Sequence, residues 1–244
     1  MPPLKPALVA LSAFVLAAPA ALAHEREFTL SRDWFLPYKG ESEVESRTFW
    51  DTRNNDFSQE FEYEYGVTDW FGIEPGIEFV KLNGEELEVE GYDIEFRFHF
   101  WQFAYDRVLP ALNVEFDRPK DDAEPKRGEI KLIGSWYGED GQDITLNLNG
   151  GKELGGERVE ESEVTFGYVR PIGKVDPADT AYFRSQPRFG VEGIHSFHDH
   201  LDGLGPLFVY RGTEHLNLLC AYVFGLNERD ENPDQLRLIL EWEF

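Results

Sequence analysis

The chain contains very little sulfur, because Cys220 is its only cysteine and Met1 its only methionine. A single cysteine excludes an intramolecular disulfide. With so few thiolate and thioether side chains, a site for a soft metal such as Cu(I) is disfavoured. The simplest interpretation of Cys220 is therefore a small apolar side chain on a membrane-facing strand.

Basic residues and long hydrophobic runs are also scarce. The sequence has 23 Lys and Arg against 47 Asp and Glu, which gives a net charge of −24. Nucleic acid is excluded as a partner, because its phosphates attract basic surfaces. After residue 23 no apolar run approaches the ~20 residues that a membrane helix needs. This excludes an inner-membrane helical protein but leaves a soluble periplasmic β-protein open.

The N-terminus has the pattern of a secretory signal peptide. Lys5 precedes a mostly apolar stretch from Ala7 to Ala18, and residues 21–23 form an A-x-A cleavage site. We therefore expect residues 1–23 to be removed, which would leave His24 first and change the net charge from −24 to −25. The expected destination lies beyond the inner membrane of a Gram-negative bacterium.

The rest of the chain alternates between apolar and polar residues, as strands do. In the last nine residues Leu236, Leu238, Leu240, Trp242 and Phe244 share one face. A final strand of this kind, ending in an aromatic residue, is typical of outer-membrane β-barrels. Twelve segments show the pattern: 43–51, 57–65, 71–79, 90–103, 111–118, 128–137, 142–150, 160–169, 187–197, 204–211, 215–225 and 235–244.

These segments predict an all-β fold, a transmembrane antiparallel up-and-down β-barrel of about 12 strands formed by residues 43–244. Residues 24–42 are interpreted as an N-terminal extension or an extra strand, since Phe28, Leu30 and Trp34 also alternate. The alternative is that residues 25–36 form a segment inside the barrel, which would fill and close it. If Phe244 lies in the periplasm, most of the longer connections fall outside the cell, as expected for such barrels. The connection 170–186 is an exception, because it is long and falls on the periplasmic side. A bulge is expected at Pro75, because proline fits poorly in a regular sheet.

Three short motifs resemble one family of outer-membrane barrels. Residues 65–74 read Tyr-Gly-Val-Thr-Asp-Trp-Phe-Gly-Ile-Glu, residues 205–210 read Gly-Pro-Leu-Phe-Val-Tyr, and residues 222–226 lead through Asn-Pro-Asp to the last strand. The first is similar to a recurring turn of the phenol-degradation meta-pathway transporter family and its uncharacterised relatives. The resemblance implies a transport-like barrel without an assigned substrate, and it carries over no catalytic residue.

If the aromatic face of the strands meets lipid, the opposite face carries many carboxylates. Neighbours on one face of a strand lie ~6.7 Å apart. At that spacing they repel each other unless water, cations or basic side chains screen them. This repulsion would be screened in a hydrated wall with internal ion pairs, and equally in a channel that favours cations. The candidate lumen and selectivity residues are Glu60, Glu62, Glu64, Glu74, Glu78, Asp93, Glu95 and Arg97.

A second candidate site is rich in histidine. His195, His198, Asp199 and His200 lie within six residues, where a predicted strand leaves the membrane. Imidazole and carboxylate ligands suit Zn(II), Ni(II) or Cu(II). The alternatives are a weak divalent metal site and an exposed polar turn. No other cofactor is expected.

The predicted function is porin-like or transporter-like passage of small solutes across the outer membrane, through an acidic lumen that favours cations. The alternative is a closed structural barrel, or one that binds a divalent metal through the histidine loop. An enzyme is not expected, because His195 and Ser196 are adjacent on a strand and point to opposite faces. Expected partners are outer-membrane lipid, small solutes or cations, and the barrel-assembly machinery acting on the strand that ends at Phe244.

Overall fold

The computed structural model describes residues 27–121, 123–155, 160–174, 186–198, 202–213, 215–226 and 234–244. Within these residues twelve antiparallel strands form one closed barrel, which confirms the predicted fold. The strands are β1 Ser42–Asp51, β2 Phe57–Thr68, β3 Phe71–Lys81, β4 Glu88–His99, β5 Val108–Pro119, β6 Arg127–Tyr137, β7 Asp143–Glu153, β8 Glu160–Pro171, β9 Arg188–Ser196, β10 Asp202–Thr213, β11 Leu216–Gly225 and β12 Gln235–Glu243. No helix in the described part of the chain is long and apolar enough to cross a membrane.

The barrel closes where its first and last strands pair. Val44 pairs with Trp242 and Asp51 with Gln235, so the β1–β12 register runs almost the full length of both strands. The backbone N–H of Phe244 extends this pairing by donating to the Ser42 carbonyl, at 2.9 Å. We call the end that carries Ser42 and Phe244 the terminal end, and the opposite end the distal end.

Alternate residues face the barrel exterior and interior. On β7 Leu146 and Leu148 are each 48% exposed, whereas Asn147 between them is 1% exposed. The same alternation separates Tyr63 from Glu62 and Glu64 on β2. The sheet therefore presents an apolar outer surface and a polar or tightly packed inner surface.

The β2–β3 pairing departs from expectation at Pro75. Glu62 pairs with Gly76 and Tyr65 with Ile73, so the register is the same on both sides of the proline and no bulge forms there. The bridges between these two pairs are missing, because proline has no N–H to donate to the facing strand. The register shift on this strand pair lies instead at Gly66–Thr68, next to the turn.

The segment before β1 runs inside the barrel. Residues 27–38, which we call the lumen segment, contain no strand and are mostly buried. Their apolar side chains pack against the inner wall in two separate clusters. Phe28 joins inward-facing residues of β8 to β12, and Trp34 and Phe35 join inward-facing residues of β5 and β6. The barrel interior is therefore filled by the chain's own N-terminal residues.

Candidate functional site

Arg32 lies at the centre of the lumen segment and faces the most acidic part of the wall. Its Nη2 lies 2.6 Å from Glu74, 3.1 Å from Glu62 and 3.4 Å from Glu95. Its Nη1 lies 3.7 Å from Glu45. The Arg32 side chain is only 5% exposed, so four carboxylates from β1 to β4 converge on one buried cation. Burying these carboxylates would be very costly without that cation.

The backbone of Arg32 is held from the other side of the barrel. Its N–H donates to Asn147 Oδ1 at 2.7 Å, and its carbonyl accepts from Asn147 Nδ2 at 2.8 Å. Thr145 Oγ1 also donates to this carbonyl, at 3.2 Å. Because the segment is not part of a sheet, its backbone needs such side-chain partners when water is excluded. The guanidinium and the backbone of Arg32 thus connect β2–β4 to β7 across the lumen.

Two further carboxylates hold the beginning of the segment. Glu192 accepts from the N–H groups of Thr29 at 2.8 Å and Leu30 at 3.0 Å. Glu27 forms an ion pair with Arg188, whose Nη1 also lies 3.0 Å from Asp143. Glu27, Arg188 and Asp143 are each at most 1% exposed. The beginning of the segment is therefore bound to the wall on β9 as well.

Aromatic packing holds the second half of the segment near the terminal end. Trp34 stacks on His99 with ring centroids 4.3 Å apart, and Phe35 packs on Tyr137 at 4.8 Å. The Arg97 guanidinium donates to the Phe35 carbonyl. Burying an apolar side chain such as Phe35 contributes about 1.5–3 kcal/mol. The segment is thus fixed by both charge and apolar contact.

The segment leaves the lumen beside Gly66 of β2. A Cβ at this position would lie 2.1 Å from the Tyr38 carbonyl oxygen, so only glycine allows the segment to pass. The Tyr38 N–H donates to Glu41, at 3.1 Å. Burial raises the pKa of Glu41, and the hydrogen bond from Tyr38 opposes that rise.

All eight predicted lumen residues lie on inward-facing positions, but they form two groups. Glu62, Glu64, Glu74, Glu95 and Arg97 are each at most 4% exposed and belong to the ion-pair network around the lumen segment. Arg32, Arg47 and Arg97 supply the counter-charges of this group, so its carboxylates are held in internal ion pairs. The salt bridges of Arg47 reach Glu45, Glu60, Glu62 and Glu74.

The other group, Glu60, Glu78 and Asp93, lies closer to the distal end and is partly exposed. Within the described residues neither Glu78 nor Asp93 has a cationic partner. Carboxylate oxygens of Glu60, Glu62 and Asp93 lie within 4.8 Å of one another. Oxygen ligands of this kind suit a hard divalent cation. Glycine at position 76 makes room for this arrangement, because a Cβ there would lie 2.1 Å from Asp93 Oδ1.

The predicted histidine site lies only partly within the described residues. His195 Nδ1 lies 2.5 Å from Asp202 Oδ1, and His198 is exposed in the turn that follows β9. Asp199 and His200 lie outside the described residues, so the proposed ligand set stays a prediction. His195 faces outward, whereas Ser196 lies on the inner face and is 4% exposed. Because the two side chains lie on opposite faces of β9, they do not form a catalytic pair with each other.

The sequence interpretation missed residues that fix the lumen segment, namely Arg32, Arg188 and Asn147. It also missed Arg47, which pairs with carboxylates of the wall. A signal was present, because Arg32 is one of the few basic residues in a chain with twice as many acidic as basic residues, and it directly precedes the acidic strands. Buried carboxylates need counter-charges, and few arginines were available to supply them. Which strands Arg32 reaches depends on the path of the segment, and periodicity carries no information about that path.

Known structures share this architecture. The NanC porin aligns with a TM-score of 0.59 at 8% identity over 82% of this chain and 100% of the porin. An outer-membrane channel from Pseudomonas putida F1 aligns with a TM-score of 0.58 at 12% identity over 89% of this chain and 100% of the channel. At these identities the likeness shows the fold alone. No family model matches the chain, and no curated protein is significantly similar in sequence.

Proposed function

We propose that this chain is a bacterial outer-membrane barrel through which small solutes pass, cations more readily than anions, when the lumen segment is displaced. The observation that carries the proposal is the convergence of Glu45, Glu62, Glu74 and Glu95 on Arg32 inside a closed twelve-stranded barrel. The wall is acidic, and Arg32, one of the three arginines that neutralise it, belongs to the lumen segment rather than to the wall.

Three features support the outer-membrane location. The exterior is apolar and aromatic, the barrel has an even number of strands, and the last strand ends in phenylalanine, as in bacterial outer-membrane barrels. The two similar folds described above are a porin and an outer-membrane channel. The motif resemblance to the phenol-degradation meta-pathway transporter family also favours transport, without indicating a substrate.

Cation preference is expected from the charge that the lumen segment leaves uncompensated. Glu78 and Asp93 face the interior near the distal end without a cationic partner in the described residues. Carboxylates that line a pore raise the local cation concentration, and salt weakens the effect as the Debye length falls from ~30 Å at 0.01 M to ~3 Å at 1 M. The preference should therefore be strongest at low ionic strength.

Reversal potentials in planar bilayers under a KCl gradient test this proposal. The wild type should favour K⁺ over Cl⁻, and the double change Glu78→Gln with Asp93→Asn should reduce that preference. The matched control is Glu139→Gln with Asp140→Asn, which removes two exposed carboxylates from a turn at the terminal end. Anion preference of the wild type, or equal effects of both pairs of changes, would contradict the lumen charge assignment.

A closed structural barrel is the second candidate. It is favoured by the burial of Glu62 and Glu95, which are 2% and 1% exposed, so no open path passes between them while the lumen segment is in place. A wild-type protein that inserts into bilayers but never conducts would support this candidate. We propose no enzymatic activity for either candidate.

A further inference from the structure

The wall groups that hold Arg32 all belong to strands of the barrel. The carboxylates around its guanidinium lie on β1 to β4, and the side chains that bind its backbone lie on β7. Strand pairing around the closed barrel fixes these positions. The site therefore remains in the wall when the lumen segment is displaced. We call it the arginine cradle, formed by Glu45, Glu62, Glu74, Glu95, Thr145 and Asn147.

The arginine cradle depends on Arg32 for its charge balance. Among the described wall residues, Arg47 and Arg97 pair with six glutamates, which are Glu45, Glu60, Glu62, Glu64, Glu74 and, through Arg32 and Lys131 only, Glu95. Lys131 is itself shared with two further glutamates of the wall. When Arg32 leaves, the cradle has an excess of negative charge, and this charge favours a cation in its place.

The geometry of the cradle suits a guanidinium group better than a small cation. Nη2 of Arg32 contacts three carboxylates at 2.6 to 3.4 Å, and Nη1 lies 3.7 Å from a fourth. A guanidinium is planar and directs several N–H donors along fixed directions, whereas an ammonium is a compact point charge. A solute with a guanidinium group can therefore reproduce the contacts that Arg32 makes with four strands.

The lumen wall also binds peptide backbone. Asn147 is 1% exposed, and its carboxamide accepts from the N–H of Arg32 at 2.7 Å and donates to the carbonyl of Arg32 at 2.8 Å. Glu192 and Arg97 bind further backbone groups of the lumen segment. Contacts with backbone atoms do not depend on which side chains the bound chain carries. The segment thus shows that a peptide fits inside the barrel and has hydrogen-bond partners there.

We propose that the arginine cradle is a binding site for short arginine-containing peptides, which makes these peptides a solute class of the barrel. The inference rests on the proposed function, because a solute reaches the cradle only when the lumen segment is displaced. The guanidinium of the peptide contacts the glutamates of β1 to β4, and its amide contacts Asn147. Arg32 occupies the same cradle in the closed barrel, so it competes with the peptide as an internal substitute.

Fluorescence anisotropy with labelled, end-blocked tripeptides tests the binding site. The peptides have alanine on both sides of arginine, lysine or citrulline, and citrulline has the shape of arginine without its charge. The Arg32→Ala protein, folded in detergent, should bind the arginine peptide about ten-fold more tightly than either of the others, because it alone offers several charged hydrogen-bond donors. The wild type should bind the arginine peptide more weakly than Arg32→Ala does, because Arg32 competes for the cradle.

Changes in the cradle distinguish recognition from easier access to the lumen. In the Arg32→Ala background, Glu74→Gln with Glu95→Gln should lower the ratio of arginine-peptide to citrulline-peptide affinity about ten-fold. Easier movement of the lumen segment would affect both peptides and leave this ratio unchanged. Glu78→Gln is the matched control, because Glu78 faces inward from β3 outside the cradle. Asn147→Ala should weaken binding of the arginine peptide relative to methylguanidinium, which has no amide.

Uptake of the same peptides by wild-type proteoliposomes tests passage and does not depend on the folding of a variant. Uptake of the arginine peptide should exceed that of the lysine and citrulline peptides. Measurable but equal uptake of the arginine and lysine peptides, or equal binding of the two by Arg32→Ala, would overturn the proposal.

Two outcomes separate this inference from the proposed function. A wild type that conducts K⁺ without discriminating between the peptides would refute the inference and leave the proposed function intact. A wild type that passes no solute, together with selective binding of the arginine peptide by Arg32→Ala, would refute the proposed function and support the cradle as a binding site.

Discussion

Arg32 Nη2 lies 2.6 Å from Glu74 Oε1 inside the barrel, and the two side chains are 5% and 0% exposed. Arg32 belongs to the lumen segment, and Glu74 belongs to the wall strand β3. The ion pair therefore joins the segment that fills the lumen to the wall that would line an open channel. Removing either partner leaves the other one buried, with fewer counter-charges around it.

Replacement of Arg32 by alanine should destabilise the protein by about 3–5 kcal/mol, because it leaves buried carboxylates without their cation. Urea unfolding in detergent, followed by tryptophan fluorescence, measures this change. Adding Glu74→Gln to Arg32→Ala should recover part of the loss. Arg53→Ala is the matched control, since Arg53 pairs with Asp234 at 2.9 Å on the exposed distal surface and should matter far less. Equal losses of unfolding free energy in Arg32→Ala and Arg53→Ala would show that the buried ion-pair network stabilises the protein no more than an exposed ion pair does.

The position of Phe28 depends on a glycine in the wall. A Cβ at Gly167 would lie 2.1 Å from Phe28 Cδ1, so Gly167→Ala should displace the ring and cost about 1–3 kcal/mol. Gly150→Ala, where a Cβ meets no atom within 4 Å, is the control and should have little effect. In a Phe28→Ala background the cost of Gly167→Ala should disappear. A cost that persists in that background would place the strain in the wall itself.

The terminal aromatic residue should be needed for assembly. Phe244 extends the β12–β1 closure through its backbone N–H, and its side chain completes the apolar face of the last strand. Deletion of Phe244 should reduce the heat-modifiable, folded barrel in outer-membrane fractions while secretion continues. Phe244→Tyr keeps an aromatic residue and the backbone contact, and should retain most of the folded protein. Equal amounts with and without residue 244 would refute the proposed role in recognition by the assembly machinery.

The histidine turn should bind Zn(II) or Cu(II) weakly. The contact of His195 Nδ1 with Asp202 leaves Nε2 for a metal, in the arrangement by which carboxylates orient metal-binding imidazoles. Isothermal titration of the detergent-solubilised protein should show binding that is lost when His195, His198 and His200 are all changed to alanine. Identical titration curves for the two proteins would leave an exposed polar turn as the interpretation.

The barrel could be predicted from the sequence, because inward-facing and outward-facing residues alternate along each strand. Polar and apolar residue types therefore alternate in the amino-acid sequence. Leu146, Asn147 and Leu148 illustrate this, with the amide inside and both leucines outside. Twelve such segments and the aromatic end of the chain were sufficient to indicate strand number and closure. The Pro75 bulge was wrong, since the missing N–H removes bridges without adding a residue to the strand.

The candidate site was less predictable, because its contacts join residues far apart in sequence. Phe28, Leu30 and Trp34 alternate as a strand would, yet they lie in a segment without strand pairing. The partners of Arg32 come from four strands, and only the closed barrel brings these strands around one point. The sequence interpretation therefore identified the carboxylates and Arg97, but not Arg32 and Arg47, which neutralise most of these carboxylates.

The proposed function requires the lumen segment to move before solutes can pass. Measuring conductance with this segment covalently linked to the wall tests that requirement. Ser31 Oγ lies 2.9 Å from Thr165 Oγ1, so cysteines at both positions, in a Cys220→Ala background, should link the segment to β8 on oxidation. Thr48→Cys with Gln59→Cys is the control, because this pair, 2.7 Å apart, joins the wall strands β1 and β2 on their outward-facing side. Oxidation should abolish the conductance of the first variant, and a reductant should restore it. The control should conduct in both the oxidised and the reduced state. Equal conductance of the first variant before and after reduction would contradict a lumen segment that must move for solutes to pass.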